Sequence, residues 1–147
     1  AEDLGQLAEP AVNFAQRILS EQYAKVLKRG RRFKSLPAEE LHRVRLAAKK
    51  LRYVGDFLLP LYGERKPARR FSKALADLQQ QLGIYNDLAT TASLLADVGT
   101  ESSGSSTAAA AIDGWQAHAM VGVAPRLRKA WSEFVRTKVP WSAEAEA

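Results

Sequence analysis

Apolar residues recur at steps of three and four along most of this chain, which is the spacing of positions on one face of an α-helix. The run is clearest in the middle of the sequence, where it forms a continuous seam: Phe71, Leu75, Leu78, Leu82, Tyr85, Ala89, Ala92 and Ala96. No stretch alternates apolar and polar residues with an enrichment in β-branched side chains, so no sheet is expected. The pattern predicts an all-α protein.

Glycine and proline residues divide this pattern into four helical segments. Gly30 is placed to end the first segment, and Pro60 follows the second. Ser35 is a candidate N-cap for the second segment, with Pro37 in its first turn. The predicted helices span residues 3–28, 36–59, 67–98 and 108–137.

The second half of the chain contains further residues that are expected to end or bend helices. Gly99 is expected to stop the third helix, and the sequence TESSGSST at 100–107 has the composition of a flexible loop. Pro125 lacks a backbone donor and is expected to kink the fourth helix. Gly83, in mid-helix, is expected to allow close helix packing. Four helices with short connections predict one domain over 1–147, folded as an antiparallel up-down four-helix bundle.

The composition narrows the class of protein. A chain of 147 residues with 46% hydrophobic content suits a single domain with its own core. Cysteine is absent, which excludes a disulfide framework, a thiolate nucleophile and cysteine-ligated metal sites. No apolar run approaches the roughly 18 residues of a membrane span, and the N-terminal segment is acidic, unlike a signal peptide. A cytoplasmic location is expected, and no cofactor is indicated.

Positive charge is concentrated in one part of the chain. The formal net charge is +6, yet residues 17–73 contain 17 lysines and arginines against 5 acidic residues. The remaining positions carry an acidic surplus. Such segregation indicates an anionic partner, for which nucleic acid, a phosphate polymer and a membrane surface are the candidate classes.

The second helix places its cations in a row. At about 100° per residue, His42, Arg45, Lys49 and Arg52 share one stripe, whereas Val44, Ala47, Leu51 and Leu58 cluster on the opposite side. The stripe is about 15 Å long, at about 1.5 Å per residue, which is enough to meet several successive phosphates. Arginine offers a planar fork to phosphate oxygens, and histidine offers a donor whose charge depends on pH. The alternative is a solvated helix face with no ligand.

Further residues are candidates by position. Arg43 and Lys50 lie on the same helix as the row, and Lys25, Lys28 and Arg32 lie at the end of the first helix and in the turn after it. Cations there also complement a negative helix end. Cations at the start of the third helix oppose its dipole, which favours a ligand role for Arg70 and Lys73. Asn86 and Asp87 are candidates for orienting a neighbouring cation, with a solvent-facing pair as the alternative.

These residues resemble a known family, the CHAD domain. The resemblance is carried by His42, Arg45, Lys49, Arg52 and Tyr53, followed by Leu75-Ala76-Asp77-Leu78-Gln79, Leu82-Gly83 and Asn86-Asp87. Tyr23, Gly30 and Arg32 are similar to the segment that precedes this motif in the family. The elements are specific when taken together, and no single pair is informative alone.

The resemblance implies a helical module that binds inorganic polyphosphate. CHAD proteins are commonly bacterial or archaeal, some are directed to polyphosphate granules, and some are joined to a triphosphate-processing domain. A complete CHAD domain consists of two related four-helix bundles around a basic channel, and this chain resembles the C-terminal bundle. The resemblance therefore also implies a partner, either the other CHAD half or a second copy in a homodimer.

The competing functions rest on the same row of cations. A nucleic-acid-binding helical domain is the first alternative, although the basic helix offers few aromatic side chains for base stacking apart from Tyr53. A phosphatase with a histidine nucleophile is a weaker alternative, because no metal-binding motif, phosphate loop or nucleophile elbow occurs. Lipid headgroup binding is a third alternative, and it is disfavoured because the core requires the opposite, apolar face of the helix. The sequence thus predicts a binding protein and not an enzyme.

Overall fold

Four long helices make up most of the computed structural model, which describes residues 2–63, 65–101 and 106–142. They are α1 (Glu2–Arg29), α2 (Ala38–Leu58), α3 (Lys66–Glu101) and α4 (Ser106–Arg136). Two short 3-10 helices, Phe33–Ser35 and Leu59–Tyr62, precede and follow α2. The described ranges contain no strand, so the predicted all-α helical bundle is confirmed.

Neighbouring helices in the sequence also pack together in space, α1 with α2, α2 with α3, and α3 with α4. The side-chain pairs fix their directions. Arg52 near the end of α2 meets Gln79 of α3, and His42 near its start meets Asn86 further along α3. Phe71 at the start of α3 packs on Phe134 at the end of α4. Both of these helix pairs are therefore antiparallel.

The core lies between the inner faces of the four helices. Val44, Ala48 and Leu51 of α2 are fully buried, which confirms the apolar side predicted opposite the cation row. An aromatic cluster closes the core where the first half of α3 meets the end of α4: Tyr23, Phe71, Phe134 and Trp141. Burial among these rings raises the pKa of Tyr23 above its ordinary value.

The distal parts of α3 and α4 contribute little to that core. Beyond Leu82, Ala92 is the buried residue of α3, and the described side chains of α4 before Leu127 are exposed or half-buried. Trp115 is among the exposed apolar side chains, whereas Trp131 is half-buried and Trp141 is buried. The two helices leave the rest of the bundle as a hairpin.

The connection between α1 and α2 differs from the prediction in two ways. Ser35 does not cap α2; it belongs to the 3-10 helix Phe33–Ser35, and its Oγ donates to the carbonyl of Arg32 at 3.0 Å. Pro37 is the N-cap residue instead. Gly30 follows α1 as predicted, but a methyl group there would overlap the ring of Trp131, so the close approach of that ring explains the glycine.

The α3–α4 connection is shorter than predicted. Gly99 does not stop α3, which continues to Glu101, and α4 begins at Ser106, so residues at both edges of the expected loop 100–107 are helical. Residues 102–105 lie outside the described ranges. A glycine inside a helix costs only about 1 kcal/mol relative to alanine, which is too little to end a helix that has a partner to pack against.

Two other predictions for the helices can be compared with the structure. Pro125 lies inside α4, which continues past it to Arg136. Gly83 does not serve helix packing, because a methyl group added there would meet no atom within 4 Å. Within the described ranges, no helix combines the length and the apolar character that crossing a bilayer would require.

Candidate functional site

The predicted row of cations lies along the groove between α2 and α3. Arg45, Lys49 and Arg52 line a cavity of about 330 Å³ together with Tyr53, Asp56 and Gln79. The opposite face of α2 is buried in the core, so these side chains are directed outward along the groove. The periodicity of α2 and the packing of its apolar face thus place these cations on one side of the helix.

Two amides of α3 hold the ends of this row. The Arg52 guanidinium donates Nη1 to Gln79 Oε1 at 2.9 Å. His42 Nδ1 and Asn86 Oδ1 are 3.1 Å apart, and because a carbonyl oxygen only accepts, Nδ1 carries the hydrogen in this pair. The amides are neutral, so they orient the Arg52 and His42 side chains without placing a negative charge beside them.

The tautomer of His42 follows from its bond with Asn86. With the hydrogen on Nδ1, the neutral ring leaves Nε2 as an acceptor, which cannot donate to a phosphate oxygen. Protonation adds a hydrogen at Nε2 and turns that atom into a charged donor. His42 and Asn86 also line a neighbouring crevice of about 500 Å³, with Arg43 and Tyr85 in its wall. The crevice continues the groove toward the start of α2.

Lys49 is placed by an aromatic side chain. Its Nζ lies 5.8 Å from the centroid of the Tyr53 ring, within the range of a cation–π contact. The Tyr53 side chain is 59% exposed, so its own ring remains accessible along the groove. This contact restrains the flexible lysine without placing a negative charge beside it.

Two acidic side chains line this region, Asp56 in the groove cavity and Glu39 in the neighbouring crevice. Across the described ranges the ion pairs are Arg43 with Glu40 at 3.3 Å and Lys73 with Asp77 at 3.4 Å, and each joins neighbours on one helix. Arg45, Lys49 and Arg52 take part in neither. Asp56 is the carboxylate that lines the cavity, against three cations, so the cavity keeps a surplus of positive charge.

The other candidate cations lie elsewhere. Arg43 borders the crevice beside His42 but is paired with Glu40, and Lys73 is paired with Asp77. Arg32 lines a different cavity with Phe33 and Trp131. The remaining candidates are exposed and line none of these three cavities: Lys25, Lys28, Lys50, Arg70 and Asp87. A role in binding stays a prediction for all of them.

Sequence reasoning missed two groove residues on α3. Gln79, Gly83 and Asn86 are spaced by four and three residues, which places them on one face of the helix. Gly83 therefore lies between the two amides, where the lack of a side chain leaves open space. The spacing was available in the sequence as a signal. Its meaning depended on which face of α3 turns toward α2, and only the packing of the helices decides that.

Metal-binding side chains do not gather at the groove. Among the residues that the structure describes, no group of three or more histidine, aspartate and glutamate side chains is arranged to hold a metal ion.

Comparison with known proteins gives one match. A family model of the CHAD domain matches residues 1–96, which include α1, α2 and the part of α3 that carries Gln79, Gly83 and Asn86. The match confirms the resemblance drawn from the motif residues, and α4 lies outside it. The family is linked in general to polyphosphate binding. No curated protein and no solved structure matches the chain.

Proposed function

The chain belongs to the CHAD domain family, and from this membership and the geometry of the α2–α3 groove we propose that it binds inorganic polyphosphate. The polymer lies along the groove. Arg45, Lys49 and Arg52 contact successive phosphates, and protonated His42 contacts the polymer nearer the start of α2. The protein acts as a binding module and not as an enzyme.

The observation that carries this proposal is the way the cations are held. Gln79 and Asn86 fix Arg52 and His42 through neutral amides, and Tyr53 restrains Lys49 through its ring. Oriented cations that keep their charge repel one another until an anion is supplied. A bound polyanion relieves that repulsion and forms charge-assisted hydrogen bonds with each of them.

The length of the row supports a polymer over a single small anion. His42 and Arg52 are ten residues apart on α2, which corresponds to about 15 Å along the helix axis. One phosphate contacts only part of such a row. The polymer can occupy all of it, and the open space at Gly83 lets the chain approach the backbone of α3.

Nucleic acid is the alternative ligand, because any phosphate backbone could follow the same cations. The exposed ring of Tyr53 is the feature that favours it. The deciding experiment is competition among long-chain polyphosphate, single-stranded RNA and duplex DNA at equal phosphate concentration and constant salt. We expect polyphosphate to displace both nucleic acids. Equal or tighter binding of either nucleic acid would replace the proposal with the alternative.

A triple variant tests whether the groove is the site. With about four phosphate contacts, and about 0.7 counterions released per contact, the logarithm of affinity should fall with the logarithm of salt at a slope near −3. Replacing Arg45, Lys49 and Arg52 by glutamine should bring the slope close to −1. The matched control replaces three exposed cations outside the groove, Arg128, Lys129 and Lys138. If both triple variants flatten the slope equally, the charge acts without a defined site.

The binding role leads to two further parts of the proposal. In cells the protein localises to polyphosphate granules, which a fluorescent fusion should show in cells that make the polymer and should lose in cells that do not. The partner that completes the basic channel is the other CHAD half or a second copy of this chain. Light scattering with and without polyphosphate tests the homodimer.

The proposal that the protein only binds the polymer is tested by prolonged incubation of the purified protein with polyphosphate. Release of orthophosphate would contradict a purely binding role.

A further inference from the structure

A third cavity, a depression of about 730 Å³ that is broadly open to solvent, lies where the connection between α1 and α2 meets the end of α4. The side chains that matter for its chemistry are Arg32, Phe33, Lys34, Trp131, Val135 and Arg136. None of the residues that line the groove cavities lines this one. Its volume falls within the range of about 300–1,000 Å³ that small-molecule sites occupy.

The floor of this cavity is apolar and preformed. The rings of Phe33 and Trp131 stack with centroids 4.5 Å apart and an angle of 3° between their planes. Gly30 brings the backbone against the six-membered part of the Trp131 ring, which fixes the tryptophan in place. Val135, which is 43% exposed, extends the apolar surface outward. A ligand with an apolar ring would find this surface without a rearrangement of the core.

The rim of the cavity is cationic. Arg32, Lys34 and Arg136 belong to neither of the ion pairs found in the part of the chain that the structure describes. α1 and α4 both end here, and each helix end carries the equivalent of about half a negative charge. Three formal positive charges exceed two such ends, so a surplus of about +2 remains for an anion.

The backbone at Arg32 gives an independent indication. Arg32 has φ 56° and ψ 41°, and it is the non-glycine residue with positive φ among the described ones. This left-handed conformation costs an L-residue about 1–2 kcal/mol, which a glycine would avoid. Ser35 holds the turn, since both its backbone N–H and its Oγ donate to the Arg32 carbonyl. A function for the guanidinium accounts for an arginine at a position that glycine would fill with less strain.

We infer that this cavity binds a small organic anion in which a sugar joins a phosphate to a flat aromatic ring, the chemistry of a nucleoside monophosphate. The ring lies against Trp131 and Val135, and the phosphate meets Arg32, Lys34 and Arg136. An inorganic anion would leave the apolar floor unused, and a neutral ring would leave the cations unused. The site is separate from the polyphosphate groove.

The test uses the intact protein and three probes, adenosine monophosphate, adenosine and inorganic phosphate, titrated by calorimetry at low salt. We expect saturable binding of the monophosphate, with adenosine and phosphate each at least tenfold weaker. Arg136→Gln should weaken binding of the monophosphate at least tenfold. Arg128→Gln removes an equal charge from α4 outside the cavity and should change it less than twofold. Lys49→Gln, in the groove, should have no effect.

Three results would overturn the inference. Equal affinity for phosphate and for the monophosphate would mean that the ring makes no contact and that the site is only a cationic patch. Equal effects of Arg136→Gln and Arg128→Gln would show that the ligand does not bind in this cavity. Loss of binding in Lys49→Gln would place the ligand in the groove. Arg32→Gly gives a check that does not depend on damage to the fold. It relieves the backbone, so the melting temperature should hold or rise while affinity for the monophosphate falls at least fivefold. A variant that binds as the unaltered protein does would show that the Arg32 guanidinium is not part of the site.

Discussion

His42 and Arg52 of α2 are bound by amides of α3, whereas Arg43 and Lys73 are bound by carboxylates on their own helices. The first arrangement spans two helices and leaves the positive charge available. The second joins neighbours on one helix surface and cancels it locally, at a gain of only about 0.2–0.5 kcal/mol per pair. The difference shows that the number of cations on a surface describes a polyanion site less well than the partners that hold them.

The strongest test reverses the charge of one lysine in each region. Lys49→Glu removes a phosphate contact and adds repulsion inside the groove, so we expect affinity for polyphosphate to fall about 100-fold, or about 2.7 kcal/mol. Lys73→Glu makes the same change of charge at an acid-paired site and should cost less than about threefold. Titration of both variants with one polyphosphate preparation gives the ratio. Similar losses would mean that total charge alone governs binding.

A second test converts an amide-held cation into an acid-paired one. Gln79→Glu places a carboxylate against the Arg52 guanidinium, and we expect a loss of affinity of about tenfold because the charge is then neutralised within the protein. Gln80→Glu introduces the same charge one residue further along α3, on an exposed position outside the cavity. It should change affinity less than about threefold. The amides have no special role if the two substitutions are equivalent.

The bond between His42 and Asn86 predicts a dependence on pH. A bound phosphate favours the protonated form of the His42 ring, in which Nε2 is a charged donor, so binding of the polymer is coupled to uptake of a proton, whereas Arg43 and Glu39 in the same crevice keep their charge. Affinity for long polyphosphate should therefore rise about fivefold from pH 8 to pH 6. His42→Gln keeps a donor and should flatten the profile. The polyphosphate chains must be long, because their terminal phosphates titrate near pH 6 and would otherwise contribute their own dependence on pH. If the His42→Gln variant keeps the full dependence of affinity on pH, His42 does not contact the polymer.

The carboxylate of Asp56 offers a test in the direction of tighter binding. Asp56→Asn removes the negative charge that lines the groove cavity, and at a separation of several ångströms this charge is worth about 0.5–1 kcal/mol against a phosphate. We expect a two- to fivefold gain in affinity. Asp77→Asn frees Lys73 outside the groove and should give less than twofold. Weaker binding by the Asp56 variant would indicate that this carboxylate positions a cation.

The smallest expected effect concerns Gly83, between the two amides. Gly83→Ala should raise the free energy of unfolding by up to about 1 kcal/mol, because alanine favours the helix and the added methyl group meets no atom. Gly83→Leu should fill the groove and lower affinity for polyphosphate about threefold without loss of stability. Gly114→Leu is the matched control on α4, where the space is equally open. If Gly83→Leu binds as tightly as the control variant, the polymer does not pass over Gly83.

Features that depend on the local order of residues along one helix could be predicted from the sequence, whereas features that depend on how two helices pack could not. The cation row and the buried face of α2 follow from a period of 3.6 residues, and both were predictable. The spacing of Gln79, Gly83 and Asn86 was visible in the sequence, but the pairing of Gln79 with Arg52 was not predictable, because it depends on the rotation of α3 relative to α2. The prediction that Ser35 caps α2 was wrong because its hydroxyl donates a hydrogen bond to the preceding Arg32 carbonyl and does not accept one from the first turn of α2. Gly99 was a misleading signal because a glycine inside a helix costs only about 1 kcal/mol relative to alanine, which by itself is too little to end α3.

The aromatic cluster that closes the core joins residues from nearly the whole length of the chain. Tyr23 and Phe71 are translated before Phe134 and Trp141, which cover them and follow Phe71 by 63 and 70 residues. At roughly 5–20 residues per second, the ribosome adds the 70 residues between Phe71 and Trp141 in roughly 4–14 seconds. Throughout that interval the basic segment of α2 has been synthesised, whereas the last residues that close the core have not. We therefore expect the nascent chain to expose its most positive segment before the core can close.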